Sequence, residues 1–240
     1  MKTLAFTASI LITVGNLFAA DAGPKDEIKA AAKALGDKPN YSWKSNVENA
    51  GGGGGGGRMG GPTEGKTEKD GVTHLSMVRG DATIVAVLKG GKGAIKTPDG
   101  WKTADEVSAD QDRQNPARFA ARMLQSYKTP AVQAADLADQ AKELKKEGES
   151  VTGELTEAGA KAFLSFGGRG GGNALDISGA KGSVKFWVKD GALVKYQFSV
   201  QGKVSFNGND RDVDRTTTVE LKDVGTTKIE VPEDAKKKLQ

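Results

Sequence analysis

Two hydrophobic periods alternate along this chain. From Ser183 to Pro232, apolar and polar residues take turns almost without a break, Val184/Phe186/Val188 and then Val194/Tyr196/Phe198/Val200. That period of two marks strands with one buried face. Asp190-Gly191 predicts a tight hairpin, and Gly202 and Asn207-Gly208 predict breaks, so the stretch reads as an antiparallel meander. The same alternation appears upstream in Tyr41, Trp43, Ser45 and Val47. It continues in two segments, Gly65–Lys69 and Val72–Arg79, that flank Asp70-Gly71. Ala82–Leu88 is apolar at both parities, as expected of a strand covered on both sides, with Gly93–Lys96 as its partner.

Elsewhere the period becomes helical. Pro24–Leu35 places Ile28, Ala31, Ala32 and Leu35 on one face, ahead of Gly36. Asn115-Pro116 and Thr129-Pro130 each pair a capping side chain with proline at the first helical position. The helices they start are predicted to bury Phe119, Met123, Leu124 and Tyr127, and then Ala134, Leu137, Ala141 and Leu144. Val151–Leu155 returns to strand, and Thr156 caps a short helix over Glu157–Leu164. Helices therefore fall between two sheet-forming halves. This pattern defines an α+β class.

Composition changes the picture in three places. The 240 residues include 33 glycines, many of them in tracts at 51–61 and 167–172, which read as flexible loops because ordering glycine costs more backbone entropy than ordering any other residue. A formal charge of +4 with Lys and Glu interspersed gives no nucleic-acid footprint. The absence of cysteine excludes disulfides, thiolate catalysis, zinc-thiolate sites and a lipidated cysteine. At the N-terminus, Lys2, the apolar run Leu4–Phe18 and Ala20-Asp21-Ala22 have the layout of a cleavable secretory signal over residues 1–22. A mature chain starting near Gly23 and ending at Gln240 then forms a single domain in a periplasmic or extracellular setting. An uncleaved N-terminal anchor is the other reading of that segment.

The candidate chemical motifs each have a plainer explanation. Residues 60–67, GGPTEGKT, fit the spacing of a phosphate-binding loop, but a glycine tract precedes them and a strand, not a helix, follows. Arg169-Gly170-Gly171 is one triplet of an RNA-binding type. Asp210, Asp212 and Asp214 stand at alternate positions, yet Arg215 and Leu221 occupy the places where a calcium loop needs glycine and glutamate, and Arg211 and Arg215 are available to neutralise the aspartates. His74, the only histidine, lies within a strand with no nucleophile motif beside it. No metal site, cofactor or enzymatic activity is expected from these residues.

The order of elements and the closing wording, LVKYQFSV followed by a polar strand and KDVGTTKIEVP, resemble the LolA and LppX/LprG lipoprotein-carrier superfamily. That resemblance implies a curved antiparallel β-sheet, a half-barrel, with helices packed on its concave face and acyl chains held between the layers. It covers most of the mature chain in layout and only the C-terminal part in wording. The missing cysteine departs from the lipid-tethered members. The expectation is an exported protein that binds a lipid or other apolar ligand without covalent chemistry. The expected lining is Trp43, Trp101, Phe119, Met123, Leu124, Phe186 and Phe198. An envelope protein-interaction or sensor module on the same fold, with its cavity filled by its own side chains, is the alternative.

Overall fold

The computed structural model describes residues 23–50, 61–112, 115–165, 175–206 and 208–240. The expected signal segment, residues 51–60 of the first glycine tract and the whole of the second lie outside the described residues. Two meanders build the sheet. The first comprises β1 (Asn40–Asn49), β2 (Thr63–Glu68), β3 (Thr73–Arg79), β4 (Ala82–Lys89), β5 (Lys92–Thr97) and β6 (Gly100–Thr103). The second comprises β7 (Ala141–Glu147), β8 (Ser150–Leu155), β9 (Asp176–Lys189), β10 (Ala192–Phe206) and β11 (Asn209–Lys222). Antiparallel pairing of β1 with β11 fuses them into one 11-stranded sheet, β6-β5-β4-β3-β2-β1-β11-β10-β9-β8-β7. The end strands β6 and β7 stay unpaired with each other, so the sheet is an open half-barrel. The β7 edge carries Lys142, Lys145 and Lys146, charges that discourage pairing with another chain.

Helices line one face of that sheet. α1 (Pro24–Gly36) packs against α4 (Pro130–Gln140) and over β7, β9 and β10. α2 (Ala104–Ala109) and α3 (Ala117–Gln125) lie over β4 and β5, and α5 (Glu157–Ser165) lies over β8 to β10. The segment from α2 to α4 thus carries the chain from one free edge to the other across the inner face. The main core sits between sheet and helices, with Phe186, Tyr196, Leu75, Met77 and Ile28 fully buried.

A short helix, α6 (Glu233–Lys238), reaches the opposite face. Ala235 meets Val72, Val87 and Ala94 there, with Ile229, Val231 and Leu239 packed around them. This cover explains why β4 is apolar at both parities, as the sequence pattern predicts. The tail also corrects one expectation: the strand pattern ends at Lys222, and Asp223–Pro232 is a turn and an extended tail laid on the outer face, not a further strand. Asp223 and Gly225 take positive φ at that turn, of 49° and 83°.

Three local expectations change. Ala141 and Leu144 do not extend α4, which stops at Gln140; they begin β7, whose register slips between them. That slip sets two inward side chains three residues apart in a strand, which imitates helical spacing. Gly202 lies inside β10 rather than ending it, at a slip in the register with β9, and a Cβ there would come 2.8 Å from a methyl carbon of Leu164 on α5. The buried side of α3 is Ala117, Ala120, Ala121 and Leu124, a face rotated from the predicted one, so Phe119 and Met123 are only half-buried.

Candidate ligand-binding site on the inner face

The pairing registers fix which residues look inward. One row across the sheet reads Ile84, Met77, Thr63, Ser45, Val219, Tyr196, Phe186 and Val151. The next inward row includes Ala82, Arg79, Val47, Thr217, Phe198 and Val184. Most of these are buried under helices. Five of them are only half-buried: Arg79 and Ala82 at the β3–β4 end of their row, and Ser45, Val47 and Thr63, whose strands lie in the middle of the sheet. Their flanking partners Met77 and Tyr196 are 0% exposed. The helical layer thus covers the inner face least over β2, β1 and the Val213–Arg215 part of β11, a recess in that layer between α3, over β4 and β5, and α5, over β8 to β10.

One end of the recess is closed by an aromatic plug. Trp43 lies flat on Gly65, where an added Cβ would fall 2.2 Å from the indole ring. Tyr127, in the α3–α4 connection, stacks on it at 6.3 Å between centroids. The indole Nε1 donates to Thr67 Oγ1 at 3.3 Å, and the hydroxyls of Thr73 and Thr67 meet at 3.3 Å. The buried Tyr127 hydroxyl points at that threonine pair without a hydrogen bond of normal geometry. Burial, with Tyr41 nearby, pushes its phenol well above the usual tyrosine range. Tyr196 is raised by burial too, and its hydroxyl donates to Gln133 Oε1 of α4 at 2.8 Å. The plug is neutral at every ordinary pH.

On the α5 side, Phe163 packs on Phe198 at 5.1 Å. On the α3 side, Phe119 is covered by the Arg79 guanidinium, 4.3 Å from the ring centroid. Arg79 Nη1 also donates to the carbonyls of Gly61 and Val78, at 3.2 and 2.9 Å. Arg215, inward on β11, donates from Nη2 to the Phe163 carbonyl at 2.7 Å. Burial lowers both guanidinium pKa values, yet arginine keeps its charge at any physiological pH. The inward positions of β1–β4 and β8–β11 hold no carboxylate, lysine or histidine. Such a lining suits an apolar chain with a polar end.

The predicted lining residues divide three ways. Trp43, Leu124, Phe186 and Phe198 are buried in one inner core, with Met123 packed against it; they are walls and plug. Phe119 sits under Arg79 at the flank of the recess. Trp101 is displaced altogether: it pairs with Lys96 at the parity of Ala94, which turns it outward, into the α6 cluster. The alternation through β5 and β6 already sets that parity. Val47, Thr63, Arg79 and Arg215 were missing from the predicted lining, although Val47 continues the Tyr41-Trp43-Ser45 series and Arg215 the Thr217-Val219-Leu221 series. Arg211 and Arg215 take the inward parity and the alternating Asp210, Asp212 and Asp214 the outward one; Asp210 contacts Lys203 at 3.7 Å and Asp214 accepts from Gln201 at 3.1 Å. Among the described residues no group of three His, Asp or Glu gathers as a metal site.

No protein-family model and no curated protein matches the chain. Among solved structures it is similar to LprF from Mycobacterium bovis, at 12% identity over 88% of this chain and 96% of that one, with a TM-score of 0.48. It is also similar to the lipoprotein LppX from Mycobacterium tuberculosis, at 10% identity, 87% and 97% coverage and a TM-score of 0.44. A LolA superfamily protein from Nitrosomonas europaea follows at 6% identity, 87% and 95% coverage and a TM-score of 0.33.

Proposed function

We propose that the chain is an exported, non-catalytic carrier or binding protein that holds a lipid or other hydrophobic ligand non-covalently in the inner-face recess. The observation that carries this reading is the half-burial of Ser45, Val47 and Thr63 in the middle of the sheet, beside the buried inward residues Met77, Thr217, Val219 and Tyr196. An acyl chain laid there gains about 0.8 kcal/mol for each CH₂ removed from water. Export through residues 1–22 is part of the same proposal. Native mass spectrometry of the mature protein purified from an exporting host, with lipid extraction, tests it. Co-purifying acyl species are the expected result. A clean protein mass, together with no uptake of a fluorescent fatty acid, would overturn the carrier in favour of an interaction module whose interior is self-filled.

A further inference from the structure

Arg79 and Arg215 flank the recess from opposite sides. The strand order β3-β2-β1-β11 separates them by three strand spacings, about 14 Å, and Arg215 stands one inward row further along. The Nε of each is buried with no hydrogen-bond partner. The acceptors around their other nitrogens are main-chain carbonyls, and among the described residues no carboxylate lies within ion-pair distance of either. This contrasts with the lysines of the outer face, where Lys44 meets Glu64 at 3.1 Å and Lys203 meets Asp210. A buried donor left unmatched is costly, and a buried cation without a counter-charge more so, unless something else supplies the acceptor.

Resting on the recess as an acyl-binding site, we infer that its ligand is an anionic amphiphile, whose phosphate or carboxylate head is paired by Arg79 and Arg215 while its chain lies over Val47 and Thr63. A guanidinium presents Nε and Nη donors as a fork that matches two oxygens of such a head group. The apolar flank of Phe119 and Phe163 keeps water from that pair and strengthens it.

The test is a titration of the mature protein with two fluorescent probes of identical acyl chain, one ending in a free carboxylate and one in its methyl ester, and with inorganic phosphate as competitor. The expected result is about tenfold or more tighter binding of the carboxylate. The ratio of carboxylate to ester affinity falls to about one in Arg79→Met/Arg215→Met, and inorganic phosphate displaces neither probe. Arg79→Lys/Arg215→Lys keeps the charge and part of the preference, and replaces the methionine pair if that pair fails to fold. Equal affinity for both probes in the wild-type protein overturns the head-group inference and leaves the recess reading standing. Binding of neither overturns the recess reading itself. Displacement of the carboxylate probe by inorganic phosphate shows a free-anion site and overturns the amphiphile.

Discussion

The two faces of the central sheet are made from the same strands by opposite rules. Outward positions of β1, β2, β10 and β11 carry Lys44, Glu64, Lys66, Lys195, Lys203, Asp210, Asp212, Asp214 and Glu220, several of them in loose ion pairs such as Lys195–Glu220 at 4.0 Å. Such exposed pairs add little stability. Inward positions carry apolar side chains, threonines and arginines. The difference teaches where the chain keeps its energy and where it keeps its specificity. Stability comes from the covered inward rows, and the charges placed inward have no structural counter-charge.

Adjacent residues give the sharpest way to break that contrast. Phe186 is fully buried inward, whereas its neighbour Trp187 lies half-buried outward, with Lys195 and Lys185 over its ring at 4.9 and 5.2 Å. Phe186→Ala is expected to cost about 3–5 kcal/mol in chemical denaturation. Trp187→Ala, which removes an exposed cation–π contact, is expected to cost about 1 kcal/mol. Equal losses would mean that the outer face is also a packed layer away from α6.

A smaller effect sharpens the outer-face side. His74 faces outward between Lys66 and Val87, and half-burial together with Lys66 lowers its pKa from 6.5. Below pH 6.5 the unfolded chain takes up a proton that the folded chain resists, so stability falls as pH drops through that value and is unaffected above it. His74→Gln is expected to flatten this part of the profile in thermal unfolding between mildly acidic and neutral pH. An unchanged slope would assign it to other groups.

Much of the architecture was legible from alternation and caps because each strand is buried on one side and each turn carries its own chemistry. Asp190-Gly191, with φ of 51° and 75°, turns as the dipeptide predicts, and Thr156 caps α5 through the Gly159 N–H at 3.0 Å. The misreadings occur where one local pattern serves two structures. Ala141 and Leu144 are three apart because of a register slip. The Ile229/Val231 alternation belongs to a tail pressed on the outer cluster. The capping box of α2, Thr103 with Glu106, is a further start signal that the sequence carries.

The site was less legible than the fold for a physical reason. Hydrophobic pattern tells inward from outward; Trp43, Phe186 and Phe198, expected as lining, lie in the inner core. It does not tell which inward residues lie beneath a helix and which do not. That depends on where α3 and α5 come to rest, and it separates buried Phe186 from half-buried Val47 at the same parity.

One pair of variants tests the recess directly: fluorescent fatty-acid titration of Thr63→Trp beside Glu64→Trp. These neighbours on β2 face inward and outward respectively, and Glu64 is exposed. An indole at position 63 fills the recess, so affinity is expected to fall about tenfold or more, while Glu64→Trp binds as the wild-type protein does. If Thr63→Trp folds and takes up the probe as tightly as Glu64→Trp, the ligand does not lie on the inner face of β1 and β2, and the central claim is wrong.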